Sequence, residues 1–335
     1  MRHDYRMPLV ETASGARTGG VLSADSTAGL PGLRGRFLHN ESMKKHVSWR
    51  AGGLAQRIYI PADLEDLSWL VRSLPAHESI HMLGLGSNLL VRDGGLQGVT
   101  VLLHGVLKKL ALESRLQGLP PGGDDTVLVY AQAGVAAPKL ARFCANHNLV
   151  GGEFWAGIPG TVGGALAMNA GCYGHETWEK VAQVLTLNRH GLLTERRPED
   201  YVTGYRHVAL RIVQEEWFIG AWLRLPKGDG LASRARIKEL LQQRIATQPL
   251  QSPNAGSVFR NPPQDFAARL IESCGLKNYR IGDAQVSGKH ANFIVNLGAA
   301  TATDIECLIE HVETVVEART SVRLLREVRI IGERI

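Results

Sequence analysis

Hydrophobic and polar positions recur along this 335-residue chain with a helical period in some segments and an alternating period in others. A helix is predicted over residues 137–149, where one face carries Leu140, Phe143, Cys144 and His147. Further helices are expected at residues 63–74, 233–246, 265–274 and 305–317. Asp63 is the expected N-cap of the first of these, and a capping box from Thr303 to Glu306 precedes the last.

Short runs of β-forming residues predict strands between these helices. They lie at residues 80–83, 126–132, 184–188, 192–195, 209–213, 217–225, 292–296 and 322–331. Because strands and helices are interleaved, and the runs from 184 to 225 resemble an antiparallel meander, the pattern predicts an α+β fold. The turn-forming segment RLPKGDG at 224–230 separates a domain at 37–225 from one at 226–335, and the largely glycine-rich, aperiodic residues 1–36 are expected to form a flexible extension.

Composition is that of an ordinary globular protein. Hydrophobic residues make up 44% and charged residues 21%, which argues against disordered, collagen-like and coiled-coil chains. There is no run of about 18 apolar residues and no apolar core of a secretory signal, so we expect a cytoplasmic protein with no membrane partner. Residues 1–50 account for +4 of the net charge of +6, so the rest of the chain is nearly neutral. A nearly neutral chain does not suit a polyanion, and nucleic acid is not an expected partner. The four cysteines have neither a CxxC pair nor a histidine at ligand spacing, and no metal site is predicted.

Two glycine-rich segments are candidates for binding. The clearer segment runs from Gly157 to Gly164 and contains four glycines and a proline. Because glycine allows positive φ and close approach of the backbone, successive N–H groups there can bind a phosphate, and no Lys or Arg occurs between residues 143 and 179. A tight interdomain turn would explain this spacing equally well.

The second segment, LGLGSNLL at 83–90, follows a predicted strand but lacks the third glycine of a dinucleotide fingerprint. The tripeptide at 288–290 lacks the spacing and the hydroxyl residue of an ATP-binding loop. Arg206, Ser257 and Glu327 lie in segments of unusual composition. Taken singly, they are better explained as a surface cation, a turn residue and the polar side of an edge strand.

Seven segments, taken in order, resemble one family, the UDP-N-acetylenolpyruvoylglucosamine reductases of bacterial cell-wall synthesis. They are GLGSN at 84–88, GIPGTVGG at 157–164, NAGCYG at 169–174, GYR at 204–206, NAGSVFRNP at 254–262, SGKHANFIVN at 287–296 and EVRIIG at 327–332. The resemblance extends from about Phe37 to Glu333. It implies a two-part FAD-binding domain of the vanillyl-alcohol-oxidase/PCMH type, made of two α+β subdomains, followed by a smaller α+β substrate-binding domain.

The resemblance also implies an activity and its residues. Such a monomeric enzyme would use noncovalently bound FAD and NADPH to reduce UDP-N-acetylglucosamine enolpyruvate to UDP-N-acetylmuramate. The local motifs assign catalysis to Arg206, Ser257 and Glu327. The implied FAD contacts are Gly84, Gly86, Ser87, Asn88, Leu89, Gly157, Ile158, Pro159, Gly160, Thr161, Gly163, Gly164, Asn169 and Gly171. The implied substrate contacts are Tyr205, Arg260, Asn261, Lys289 and His290.

Two departures from the family limit this transfer. Only 51 positions separate Arg206 from Ser257 (257 − 206), so the insertion that one subgroup folds over its substrate is missing and the chain resembles the shorter subgroup. A lysine of the longer subgroup aligns near residues 247–248, which are Thr and Gln here. Arg244, Arg260 and Lys289 are therefore the candidates for neutralising the substrate diphosphate.

Three alternative functions stay open from the sequence. A flavin oxidase or dehydrogenase of the wider superfamily often attaches its flavin through histidine, but no histidine lies between His81 and His104, and His175 only follows the second glycine segment. A nucleotide-binding module without chemistry is disfavoured by the joint presence of the three catalytic candidates. Binding of nucleic acid by the basic N-terminal segment would be strongly salt-sensitive.

Overall fold

The computed structural model describes residues 32–113 and 125–335. Most of the predicted extension, residues 1–31, lies outside the described residues. Its last five residues, 32–36, hydrogen-bond to the domain that follows: the amide of Arg34 donates to Asp66 Oδ1 at 2.7 Å, and that of Gly35 to Tyr59 Oη at 2.9 Å. Contacts with the domain therefore begin before Phe37.

The first part of the fold combines parallel strands with one helix. Its elements are β1 (Arg36–Ser42), β2 (Leu54–Ile60), α1 (Leu64–Ser73), β3 (Ile80–Leu83), β4 (Leu89–Val91) and β5 (Leu96–Leu102). The sheet has the order β1-β2-β5-β3, in which only the β1/β2 pair is antiparallel. The expected N-cap is confirmed, because the Asp63 side chain accepts from the Asp66 amide. Helix α1 buries Leu67, Leu70 and Val71 at i, i+3 and i+4 spacing.

The second part is built on an antiparallel sheet. Its elements are β6 (Leu110–Glu113), β7 (Thr126–Gln132), α2 (Ala137–Asn146), α3 (Val162–Ala167), β8 (Gly171–Cys172), β9 (His175–Glu176), β10 (Val181–Asn188), β11 (Leu193–Arg196), β12 (Tyr201–Gly204), β13 (His207–Leu210) and β14 (Glu216–Pro226). The sheet order is β11-β10-β14-β7-β6, and β10 pairs antiparallel with both β11 and β14. The antiparallel pairing is as predicted, but the meander is wrong, because β14 pairs with β10 and the intervening β12 and β13 form a separate two-stranded sheet. The strand predicted at 209–213 is wrong: pairing of β12 with β13 ends at Leu210, and Ile212 and Val213 are exposed.

The third part packs helices on short strands. Its elements are α4 (Gly230–Thr247), α5 (Ala267–Ser273), β15 (Arg280–Ile281), β16 (Ala284–Val286), β17 (Ile294–Asn296), α6 (Ala302–Thr320) and β18 (Arg329–Ile331). Ile237 of α4 is buried in the core of the second part, so this helix joins the preceding core although it follows the predicted boundary at residue 226. The core of the third part includes Trp49, whose Nε1 donates to the Ile294 carbonyl at 2.7 Å.

Two sequence predictions in the third part are wrong in detail. The capping box of α6 is Thr301 with Asp304, because Thr303 instead donates its hydroxyl to Asp93 and Glu306 turns to Arg92. The strand predicted at 322–331 is confined to β18, since the residues before it form a connection that touches residue 259 through a single bridge.

Strand β18 returns the chain to the first part. It pairs in parallel with β4, with Arg329 opposite Leu89 and Ile331 opposite Val91. Parallel pairing places the beginnings of both strands at the same edge. Consequently the GLGSN segment, which precedes β4, lies beside Glu327, which precedes β18.

Candidate active site

The two glycine segments predicted to bind the flavin lie against each other. A Cβ atom added to Gly84 would lie 2.5 Å from Thr161 Oγ1, and one added to Gly160 would lie 3.4 Å from Ser87 Oγ. Gly86 has a φ of +60°, and a Cβ there would lie 2.1 Å from the His46 carbonyl oxygen. The close backbone approach therefore requires glycine at both Gly84 and Gly86. The two segments are therefore in direct contact at Gly84 and Thr161.

Some residues predicted to contact FAD use their polar groups in hydrogen bonds within the protein. The side chain of Asn88 donates to the Glu327 carbonyl, and that of Asn169 donates to Glu176 and to the Gly204 carbonyl. The carbonyl of Gly171 accepts from Arg206. These contacts connect the glycine segments to the catalytic candidates, a relation that the sequence motifs did not reveal.

Arg206 and Glu327 are in direct contact. Arg206 Nε donates to Glu327 Oε1 at 2.8 Å, and Nη2 donates to the Gly171 carbonyl at 2.9 Å. The two side chains are 16% and 14% exposed, so water screens the ion pair only weakly. Burial alone would lower the pKa of Arg206, but the charge and the hydrogen bond of Glu327 outweigh it and raise the pKa above the usual value. Arg206 thus stays a fixed cation.

Arg206 lies in a two-residue turn between β12 and β13. Its φ of +54° is in the left-handed region, which is unfavourable for a residue with a Cβ. The residues flanking the turn, Gly204 and His207, are paired strand partners. Tyr205 in the same turn is 45% exposed, and the Arg206 guanidinium lies 4.9 Å from its ring centre. The hairpin therefore presents Tyr205 and Arg206 together at its tip.

Ser257 is held next to Glu327 by backbone contacts. The amide of Glu327 donates to the carbonyl of Val258 at 2.8 Å. Asn292 clamps the same segment, because its Oδ1 accepts from the Phe259 amide and its Nδ2 donates to the Phe259 carbonyl. Within the part of the chain that the structure describes, the Ser257 hydroxyl makes no hydrogen bond. It is therefore available to a ligand.

The other predicted substrate residues are arranged around this segment in different ways. Lys289 Nζ donates to the Ile245 carbonyl at the end of α4, at 2.6 Å. Asn261 Oδ1 accepts from the Ala267 amide at the start of α5. Arg260 Nε is buried and has no partner among residues 32–113 and 125–335. His290 packs edge-on against Phe293, and burial lowers the pKa of its imidazole, which favours the neutral ring.

Arg244 is a half-buried cation without an acidic partner among its described contacts. Its Nε donates to Gln248 Oε1 at 2.9 Å, and Tyr173 and Cys172 are its other electrostatic neighbours. Burial lowers its pKa. Of the three cations considered for a diphosphate, Arg244 and Lys289 both lie at the C-terminal end of α4.

The described ranges contain neither a metal cluster nor a membrane-spanning helix. No group of three or more His, Cys, Asp or Glu side chains there could hold a metal ion. No helix in those ranges is long and apolar enough to span a membrane.

The chain matches two family models. Residues 248–331 match the C-terminal domain of UDP-N-acetylenolpyruvoylglucosamine reductase, and residues 55–195 match an FAD binding domain. Over 336 residues and 100% of both chains, it is 71% identical to the UDP-N-acetylenolpyruvoylglucosamine reductase of Thiobacillus denitrificans. Over 306 residues, and 90% of each chain, it is 56% identical to that of Nitrosomonas eutropha.

A solved structure has the same arrangement. It is the UDP-N-acetylenolpyruvylglucosamine reductase of Thermus caldophilus, with a TM-score of 0.71 and 30% identity over 89% of this chain and 98% of that chain. The expected fold class, an α+β FAD-binding domain followed by a second α+β domain, is confirmed.

Proposed function

This chain belongs to the UDP-N-acetylenolpyruvoylglucosamine reductase family, and we propose that Arg206, Ser257 and Glu327 carry out its reaction. The reaction is the flavin-dependent reduction of UDP-N-acetylglucosamine enolpyruvate to UDP-N-acetylmuramate by NADPH, a step in peptidoglycan precursor synthesis. The observation that carries the proposal is the 2.8 Å contact between Arg206 and Glu327, beside the segment that contains Ser257.

The two glycine segments pack against each other through Gly84 and Thr161, and together they are the surface that we assign to FAD. Bound FAD would supply the hydride-transfer chemistry that connects NADPH to the methylene carbon of the enolpyruvyl group. We assign the diphosphate of FAD to the backbone of residues 84–89 and 157–164. Ser87 and Thr161 lie where these two segments meet. Ile158 and Pro159 shape this surface without offering a charge.

Arg206 stabilises the negative charge that hydride addition places on the adjacent carbon and its carboxylate. A guanidinium has five N–H groups, and two of those of Arg206 are bonded to Glu327 and Gly171. Three N–H groups are left for the substrate carboxylate, which is enough for a two-point contact. A preoriented cation of this kind lowers the barrier because it does not have to reorganise during the reaction.

Ser257 supplies the proton that completes the reduction. Its hydroxyl donates to the carbon beside the carboxylate, and solvent then replaces the proton on the serine. A serine alkoxide is unstable by itself, so a nearby positive charge is needed. We assign that task to Arg206, which Glu327 holds on the same side. The net change is the addition of one hydride and one proton across the carbon–carbon double bond.

The sugar nucleotide is assigned to Tyr205, Arg260, Asn261, Lys289 and His290. An ammonium group has three donors, and that of Lys289 uses one on Ile245, so two are left for a phosphate. His290 contributes no positive charge when its ring is neutral. Arg244 is a further cation for the diphosphate, because its described contacts include no carboxylate.

We also infer a monomer that acts in the cytoplasm on free UDP-sugar and NADPH. Support for the monomer is that the three proposed catalytic residues come from one chain, so the site needs no second copy. Support for the compartment is that NADPH is an intracellular reductant.

The proposal is tested by separating the two half-reactions anaerobically. We expect visible flavin absorbance to bleach with NADPH and to return with the enolpyruvyl sugar. Ser257→Ala should leave bleaching unchanged and slow the return by at least about 10²-fold, the low end for loss of a general acid. Stopped-flow absorbance measures both rates.

The matched control is Ser273→Ala in the same part of the fold. The Ser273 hydroxyl donates to the Leu270 carbonyl of its own helix, so this change should alter neither half-reaction. Equal loss of both rates in Ser257→Ala would refute the role of Ser257. Bleaching without return in the wild-type enzyme would indicate a different acceptor.

A further inference from the structure

Two asparagine side chains connect the glycine segments to the backbone around the ion pair: Asn88 belongs to the segment at 83–90, and Asn169 follows the segment at 157–164. Asn88 lies directly before β4, and its Nδ2 donates to the Glu327 carbonyl at 3.1 Å. Asn169 lies two residues after the end of α3, and its Nδ2 donates to the Gly204 carbonyl at 3.1 Å. Gly204 precedes Arg206 by two residues, so both partners of the ion pair are held from a glycine segment.

The contact of Asn88 follows from the parallel pairing of β4 with β18. The amide of Arg329 donates to the Asn88 carbonyl at 3.0 Å, and the Asn88 side chain then reaches back to the Glu327 carbonyl. Glu327 itself lies outside any regular strand. Its backbone is therefore oriented by two bonds, the one from Asn88 and the one from its own amide to Val258.

The contact of Asn169 comes from a side chain that is only 2% exposed. Its Nδ2 donates to Glu176 Oε2 at 2.7 Å and to the Gly204 carbonyl, and its Oδ1 accepts from the Trp178 amide at 3.1 Å. Both N–H donors of the amide are thus used within the protein. Because Arg206 has an unfavourable positive φ, the turn that carries it needs such anchoring from outside.

We propose that Asn88 and Asn169 are positioning residues that hold Glu327 and Arg206 in the geometry required for reduction of the enolpyruvyl group. The inference rests on the catalytic roles proposed above for Arg206 and Glu327. The positioning role of the two asparagines is additional to their predicted contact with FAD. Placement of the ion pair is thereby tied to the same segments that hold the cofactor.

This arrangement predicts which half-reaction depends on the asparagines. Arg206 and Glu327 act on the enolpyruvyl carboxylate and the proton donor, so displacement of either should slow reoxidation of the flavin by the UDP-sugar. Reduction of the flavin by NADPH does not use that carboxylate. A displacement of about 1 Å is enough to cost up to about 10²-fold in rate.

The test uses FAD-saturated holoenzyme and stopped-flow absorbance. We expect Asn88→Ala and Asn169→Ala each to slow reoxidation by about 10-fold or more at saturating enolpyruvyl sugar, with the KM for that sugar changing less than about 3-fold. Because both residues also lie beside the proposed FAD surface, the readout is the ratio of the two rates: reduction by NADPH should slow by a factor at least about 3-fold smaller than reoxidation does. If an alanine variant does not bind flavin, the leucine variant replaces it, since leucine is close to asparagine in size and has neither an N–H donor nor a charge.

Double-mutant cycles separate positioning from general destabilisation. Asn88→Ala is combined with Glu327→Gln, and Asn169→Ala with Arg206→Lys. Because each asparagine acts through its partner, we expect the double variant to reoxidise within about 3-fold of the partner's single variant. Multiplicative losses would overturn the inference. Wild-type reoxidation rates in Glu327→Gln or Arg206→Lys would instead overturn the proposed catalytic roles.

Asn188→Ala is the matched control. Asn188 is also buried, and its Oδ1 accepts from the amides of His190 and Leu192 at 2.9 and 3.0 Å in the turn after β10. This change should lower thermal stability and leave the ratio of the two half-reaction rates unchanged. If it slowed reoxidation as selectively as the other two changes, the positioning role would be refuted.

Discussion

At the scale of single residues, charge is stabilised where it is buried and paired. Glu306 of α6 is 7% exposed and accepts two hydrogen bonds from Arg92, at 2.8 and 2.9 Å. Arg334 donates to the same carboxylate at 2.9 Å. Hydrogen bonding to Arg92 lowers the pKa of Glu306 to about 2, with smaller help from Arg334. The cluster ties α6 to the chain after β4 and to the C-terminal residues.

Glu306→Gln should reduce the free energy of unfolding at pH 7 by about 2 kcal/mol, because it leaves Arg92 without its counter-charge. A carboxyl with a depressed pKa stabilises the fold above its unfolded value of about 4.3, and this contribution is lost as the pH falls toward about 2. Urea unfolding of both proteins from pH 7 to 3 should therefore show a difference that shrinks below about pH 4.5.

The control is Glu310→Gln, which touches the same Arg334 but is 45% exposed. Its cost should be below about 1 kcal/mol, as for other surface ion pairs. A pH-independent difference for Glu306→Gln would contradict the assignment of the effect to its charge.

At the scale of elements, helix α6 is capped from two places in the chain. Its own Thr301 accepts from the Asp304 amide. Asp93, which follows β4, accepts from the amides of Ala302 and Thr303 at 3.1 and 2.8 Å. The first cap is a local motif, whereas the second exists only because the first and third parts of the fold meet. The sequence prediction placed the capping box at Thr303 because it did not include Asp93, to which the Thr303 amide and hydroxyl donate.

Thr301→Ala and Asp93→Ala should each destabilise the protein by about 1 kcal/mol, because each leaves helix N–H groups without an acceptor. Thr314→Ala, on the exposed side of the same helix, should change stability by less than about 0.5 kcal/mol. Urea unfolding monitored by circular dichroism compares the three variants. A cost for Thr314→Ala equal to that of the caps would show that the losses do not report on capping.

At the scale of the whole molecule, the site is assembled from parts distant in sequence. Arg206 and Glu327 are 121 positions apart (327 − 206), yet they are joined by a 2.8 Å contact. The return of β18 to β4 brings Glu327 to the GLGSN segment, and the packing of Gly84 on Thr161 brings the two glycine segments together. The flavin surface and the ion pair are therefore parts of one arrangement.

The flavin should be released by acid, because His81 and His175, the histidines that the sequence places beside the two glycine segments, already have polar neighbours. His81 Nε2 lies 3.2 Å from the Gln97 carbonyl oxygen, and His175 Nδ1 lies 3.2 Å from Glu179 Oε2. After precipitation with acid, yellow colour should stay in the supernatant. A yellow pellet would indicate a covalent flavin and favour the oxidase alternative. As a control, the protein is heated to release noncovalent FAD before it is precipitated, and the pellet should then be colourless.

Much of the local structure was readable from the pattern of residues. The N-cap at Asp63, the buried positions Leu140 and Cys144 of α2 and the antiparallel strands β10 and β14 depend on neighbours in sequence, so periodicity and capping chemistry predicted them. The predicted end of α2 was wrong, because the helix ends at Asn146 and His147 is exposed. Strand ends were less predictable. The short β18 and the β12–β13 hairpin are limited by pairing partners, and these partners are not visible in the local sequence.

The order of its motifs was sufficient to identify the family of this chain, because motif chemistry is local and survives in sequence. The same motifs named Arg206, Ser257 and Glu327, but not their contacts. Those contacts, with the positions of Asn88 and Asn169, were decided by tertiary structure. The physical reason is that parallel strand pairing and close glycine packing join segments whose separation along the chain carries no information about their distance in space.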